Sequence, residues 1–143
     1  VNSKIEEQTD FKLPLGDYRR VSRGFQGRHR GVDVSAWKGT PIYAAESGWV
    51  TYSGRKFHGY GKLVIIEHSK NWATFYAHMS KFAVKEGAWI KKGELIGYVG
   101  NTGRSRGAHL HFEVRYKRMP IDPLPYFKDN SLRFVQLDTH HGH

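Results

Sequence analysis

Gly107-Ala108-His109-Leu110-His111-Phe112-Glu113-Val114 alternates without a break. His109, His111 and Glu113 fall on one face of an extended chain, and Leu110, Phe112 and Val114 fall on the other. A period of two over this length makes the segment a β-strand with one apolar face turned to a core. The opposite face then carries two imidazoles and a carboxylate side by side. An ordinary amphipathic strand facing solvent shows the same pattern, so the alternation decides the fold before it decides any chemistry.

Outward from this strand the chain breaks into short segments rich in β-branched and aromatic residues, at 40–44, 48–53, 62–68, 73–78, 89–90, 95–99 and 110–116. Turn signals separate them: Ser53-Gly54, Gly59-Tyr60-Gly61, Lys92-Gly93 and the stretch 101–107. Short strands at this spacing predict an all-β fold, an antiparallel sheet of barrel- or sandwich-like form. A single helical turn is expected near residues 79–82. Residues 19–30 read as a basic, glycine-containing loop. Two stretches echo each other, 45–50 and 84–94, each placing a Gly just before a strand.

With 143 residues, 38% of them hydrophobic and 14% aromatic, the chain has enough apolar material for one core. We expect an N-terminal arm over 1–13, one domain over 14–127 and a C-terminal tail over 128–143 that includes His140, His141 and His143. Cysteine is absent, which excludes disulfides, thiolate metal sites and a cysteine nucleophile. A net charge of +10 favours polyanionic partners, whether nucleic acid, anionic lipid surfaces or anionic wall polymers, and does not choose among them. No apolar run approaches the ~20 residues of a membrane span. The first residue is Val, and no targeting segment is expected within this chain.

A second histidine element is His29-Arg30-Gly31-Val32-Asp33. Positions four apart in an extended chain are separated by ~13 Å, so a shared ion would require a bend, for which Gly31 is the natural point. His78 closes the apolar segment Phe75-Tyr76-Ala77-His78, His68 ends another strand, and His58 lies in a glycine turn taken as surface. Catalytic zinc takes three nitrogen or oxygen ligands and keeps a fourth position open. His29, Asp33 and one member of the His109/His111 pair make such a set. The other member and His78 remain for proton transfer.

The motifs extend further, in order: His29-x-Gly31-x-Asp33, Gly39-Thr40-Pro41-Ile42-Tyr43-Ala44 and Tyr60-Gly61-x-x-Val64-x-Ile66-x-His68. Then come Tyr76-Ala77-His78, Val84-Lys85-x-Gly87, Ile96-Gly97-x-Val99-Gly100, Asn101-Thr102-Gly103-Arg104-Ser105 and His109-Leu110-His111-Phe112-Glu113-Val114. Over residues 13–127 the chain resembles the lysostaphin/LytM-type zinc metallopeptidases, which hydrolyse peptide bonds of bacterial peptidoglycan. The resemblance implies the LytM peptidase fold, a duplicated hybrid motif with an open active-site groove. It implies one Zn2+ held by His29, Asp33 and His111, with His78 and His109 as catalytic histidines. Only Gln26, Gly27 and Arg28 separate Phe25 from His29, a shorter loop than is usual in the family. Some relatives carry an oxyanion-stabilising Tyr in that region, and no Tyr here transfers to it.

The resemblance further implies peptidoglycan peptides as substrate, stem-peptide cross-links being favoured over glycine bridges, and a monomer in the bacterial cell envelope, periplasmic or secreted. Glu113 is expected either to orient a ligand or to form a solvent-facing salt bridge. Two other readings compete: a catalytically silent scaffold or activator of the same fold, and a basic nucleic-acid-binding module. No nucleic-acid motif is present, and nucleic acid is not expected as a partner.

Overall fold

The computed structural model describes residues 10–103 and 107–127. The expected tail over 128–143, residues 1–9 of the expected arm and residues 104–106 lie outside the described residues. Among the described residues the chain is strand and turn, with one 3-10 turn, Leu124–Tyr126. The strands are β1 (Arg20–Arg23), β2 (Val32–Ser35), β3 (Pro41–Tyr43), β4 (Gly48–Gly54), β5 (Lys62–Glu67), β6 (Trp72–Phe82), β7 (Trp89–Ile90), β8 (Leu95–Val99), β9 (His109–Tyr116) and β10 (Met119–Ile121). They form one antiparallel sheet, ordered β1-β2-β9-β6-β5-β4-β7, with β10 on β9 and β8 joining β6 to β3. The sheet does not close.

β6 organises this sheet because it changes partners along its length. Trp72 to Ala77 pair with β9, ending at Ala77 opposite His111. From Met79 onward the strand pairs with β8. His78 stands at the change, with φ of 60° in a region that residues with a Cβ rarely occupy. Residues 79–82 are therefore not the helical turn expected from the sequence. They complete β6, since ladder bonds to β8 are available while so short a segment is far below the length at which a helix sustains itself.

Alternation divides the sheet into two faces. Val32 and Val34, Leu110, Phe112 and Val114, Tyr76, Val64 and Ile66, and Val50 enter one buried cluster together with Ile42, Ile96 and Val99 from β3 and β8. Truncating a buried ring such as Phe112 to Ala typically costs ~3–5 kcal/mol, which sets the scale of what this face contributes. The other face carries His109, His111 and Glu113. It also carries Trp49 and Trp89, which pair directly between β4 and β7 with ring centroids 5.1 Å apart and stay about half exposed. The two echoing stretches of sequence thus meet as neighbours.

The described end of the expected N-terminal arm is not loose. Phe11 is buried against His68, Trp72 and Phe127, and its backbone N–H donates to the Tyr126 carbonyl at 2.8 Å. The start and the end of the described chain therefore pack on each other.

Candidate metal centre

Asp33 lies on β2 directly opposite His111 on β9, and Ser35 lies opposite His109. This register brings the carboxylate to the imidazoles: His111 Nδ1 is 2.6 Å from Asp33 Oδ1, and His29 Nε2 is 3.1 Å from Asp33 Oδ2. His109 Nε2 stands 3.7 Å from Asp33 Oδ1. The ligand atoms of His29, Asp33 and His111 all lie within 4.8 Å of one another. His78 completes the cluster, its ring 4.8 Å from that of His109 and 6.0 Å from that of His111. The five residues singled out from the sequence come together in one place.

Gly31 contributes differently from the expectation. It does not adopt a left-handed φ. A Cβ there would stand 2.2 Å from the Phe112 carbonyl oxygen. Its smallness lets the chain entering β2 lie against β9, which is what delivers Asp33 to His111.

Each imidazole is oriented from outside the cluster. His29 Nδ1–H donates to the Gly24 carbonyl at 2.8 Å, which leaves Nε2 facing Asp33. His111 Nε2–H donates to Glu113 Oε2 at 2.8 Å, which leaves Nδ1 inward. His109 Nδ1–H donates to Gly107 O at 2.8 Å and His78 Nδ1–H to Thr102 O at 2.6 Å, which turns both Nε2 atoms away from those carbonyls. Such outer hydrogen bonds fix tautomer and ring direction at metal sites. Two nitrogens and a carboxylate oxygen are a donor set that suits zinc. Ligand atoms ~2.1 Å from a tetrahedral ion stand ~3.4 Å apart, so the inward pairs need to part by less than an ångström to admit one.

The electrostatics follow from this packing. Burial works against the Asp33 carboxylate, but hydrogen bonds from His111 and His29 outweigh it and hold it far below the usual carboxylate range. Burial likewise opposes a charged His111, yet Asp33 and Glu113 on its two nitrogens push it up to about 9. His78 is shifted down, by burial first and then by its histidine neighbours, against the pull of the Thr102 carbonyl. The cluster opens onto a cleft of about 1350 Å³.

Residues 27–123 match the model of peptidase family M23. The chain belongs to peptidase family M23. Among curated proteins it is 40% identical over 130 residues to the DD-carboxypeptidase/endopeptidase Mpg of Neisseria meningitidis, covering 84% of this chain and 30% of that protein. It is also 40% identical over 101 residues to the murein hydrolase activator NlpD of Escherichia coli, covering 71% and 26%. The chain thus spans about a third or less of the length of these relatives. Among solved structures, a zinc-containing peptidase of Vibrio cholerae superposes with a TM-score of 0.75 at 32% identity, covering 84% of this chain and 40% of that one. Lysostaphin of Staphylococcus simulans superposes with a TM-score of 0.70 at 28% identity, covering 84% and 57%.

The M23 site of this chain contains two residues that sequence reasoning did not place there. Tyr60 donates its hydroxyl to Glu113 Oε2 at 2.8 Å, and burial together with that carboxylate pushes its phenol up to about 12. Arg115 donates from Nε and Nη2 to Glu113 Oε1 at 2.9 and 2.6 Å. Glu113 is therefore a buried orienter of His111 rather than a solvent-facing partner, and four hydrogen bonds, two of them from the Arg115 cation, offset the cost of burying its charge. The signal for Tyr60 was its place in the Tyr60-Gly61 turn before β5. Gly61 and Gly103 cross there, both with positive φ, and a Cβ on Gly61 would lie 2.4 Å from the Thr102 backbone. That crossing aligns the Tyr60 carbonyl with the His78 N–H and the Thr102 carbonyl with its ring.

Proposed function

We propose that this chain is a zinc-dependent endopeptidase that hydrolyses peptide bonds of bacterial peptidoglycan in the cell envelope, with stem-peptide cross-links favoured over glycine bridges. The observation that carries the reading is the convergence of His29 Nε2, Asp33 and His111 Nδ1 on one point, each histidine oriented from behind, beside two further histidines that are each held through Nδ1.

Zinc at His29, Asp33 and His111 would acidify a water toward a pKa of ~7 and polarise the scissile carbonyl. His109, facing the cleft, takes the proton as the water oxygen bonds to the carbonyl carbon. The C–N bond then breaks, and the proton passes from an imidazolium to the leaving amine, giving a carboxylate and an amine. His78, whose burial and histidine neighbours disfavour its charged form, shares this proton transfer and donates a hydrogen bond to the developing oxyanion when charged.

The relative named as a murein hydrolase activator supports a second reading, in which the chain regulates another hydrolase and cuts nothing itself. Zinc analysis by mass spectrometry, combined with digestion of cross-linked muropeptides and product identification by mass, separates the two. Stoichiometric zinc and products absent from the His111→Ala control support the hydrolase. Bound zinc without products, in the presence of intact substrate, overturns it.

A further inference from the structure

One wall of the cleft is built from guanidinium groups. β1 is an edge strand, and its pairing sets Arg20 opposite Ser35 and Arg23 opposite Asp33. The next step across the sheet sets Ser35 opposite His109 and Asp33 opposite His111. Directly opposed residues share a face, with Cβ atoms ~4.5–5.5 Å apart. Arg20 and Arg23 therefore stand in the two rows that carry His109 and His111, each two strands away across β2. Arg28 and Arg30 flank His29 on the adjoining loop, and Arg19 precedes β1 with its guanidinium over the Trp37 ring at 4.7 Å. All five arginines line the cleft.

Among the described residues, the acidic side chains lining the same cleft are Asp33 and Glu113. Asp33 faces three imidazoles, and Glu113 is engaged by His111, Tyr60 and Arg115. The cleft thus carries a positive excess, and a recessed site concentrates such a field. The choice of cation is also selective. Twelve of the 23 basic residues in the chain are lysine, yet among the described residues the Lys and Arg residues of the cleft lining are all arginine. A planar guanidinium matches a carboxylate through two parallel hydrogen bonds, whereas an ammonium offers a point charge.

We propose that this wall is a carboxylate-reading subsite, and that the chain selects acidic peptides whose free carboxylates pair with Arg23 and Arg28 while the peptide lies over the metal centre. An oligoglycine bridge has no side-chain carboxylate to offer, so the wall selects against it. The assignment of the bound peptide as a substrate rests on the hydrolase reading; the charge recognition itself does not.

The test uses the native chain and an uncross-linked stem peptide, which offers no cross-link to cut, in its free-acid form and with its carboxylates amidated. Calorimetry at low ionic strength should show the acid binding about tenfold tighter, an advantage that shrinks in 0.5 M salt. Arg23→Gln combined with Arg28→Gln should bring the acid down to the level of the amide, and Arg23→Lys with Arg28→Lys should retain part of the difference. Both positions are exposed, and circular dichroism of each variant confirms that the sheet is intact. Equal binding of acid and amide, or an undiminished preference in the Gln variant, overturns the proposal. Tight binding of a phosphodiester wall polymer with no preference among the peptides overturns it as well. A preserved acid preference in a chain that cleaves no cross-linked muropeptide leaves this subsite standing and sinks the hydrolase reading instead.

Discussion

His111 and Glu113 lie two residues apart on β9, and the buried Glu113 carboxylate accepts the His111 Nε2–H at 2.8 Å. The same carboxylate is anchored by Tyr60 and Arg115, so the ring of His111 is aimed by three residues at once. Glu113→Gln keeps the shape but weakens this hold, and zinc affinity should fall ~10–100-fold, as for other outer partners of metal-binding histidines. Competition with a chelator of known affinity measures it. Unchanged affinity would make Glu113 a structural residue only.

His109 and His111 share a face of one strand and are separated by what their outer nitrogens touch: a turn carbonyl for His109, a buried carboxylate for His111. His109→Ala should keep its zinc and lose ~10²–10⁴-fold in turnover, with little change in substrate binding. His78→Ala should behave in the same way, and the double variant should lose less than the product of the single losses. His111→Ala should lose the metal. Zinc content measured beside kcat and KM distinguishes the roles, and retention of zinc by His111→Ala with loss by His109→Ala would reverse them.

Gly61→Ala should be costly far out of proportion to one methyl group. Its φ of 64° alone costs ~1–3 kcal/mol for a residue with a Cβ, and the added atom would meet the Thr102 backbone at 2.4 Å. The Tyr60 and Thr102 carbonyls that seat His78 would separate. We expect a lower melting temperature together with lost turnover, whereas Gly59→Ala, where a Cβ meets nothing within 4 Å, should show only the cost of its backbone angle.

A second, buried relay predicts a pH dependence away from the metal centre. The Ala45 N–H donates to the Tyr76 hydroxyl, Tyr76 and Thr74 are 2.6 Å apart, Thr74 meets His68 Nε2 at 2.8 Å, and His68 Nδ1–H donates to Ser47 O. The chain of donors closes only with a neutral His68. Burial lowers its value below the ordinary 6.5, against the Ser47 carbonyl and Glu46, which pull the other way. The unfolded state therefore binds this proton more tightly than the folded one. The stabilisation is complete above pH 6.5 and is lost as pH falls through the folded value. Denaturant midpoints should drop from pH 7 toward pH 5, and His68→Gln should flatten that part of the profile.

β9 is legible in the sequence because its period of two is unbroken, and the strands of Val, Ile, Tyr and Phe around it are legible for the same reason. β1 is not. Arg20-Val21-Ser22-Arg23 has one apolar residue, enough for an edge strand with a single buried side chain but too little for a pattern. The convergence of His29, Asp33 and His111 was anticipated from residue type and motif. The partner change at His78 was not, because it is decided by β8 and β9 and not by the local sequence. Tyr60 reads as a turn residue, and its part in the site depends on Glu113, 53 positions away.

The strand that carries the chemistry packs the core with its other face: Leu110, Phe112 and Val114 look inward while His109, His111 and Glu113 look out. Substitution on the outward face leaves the inward packing untouched. A descendant of this chain that lost its imidazoles would keep its sheet, its cleft and its charged wall. The peptide recognition and the peptide cleavage proposed for this chain thus rest on different residues, and selection can discard the second while keeping the first.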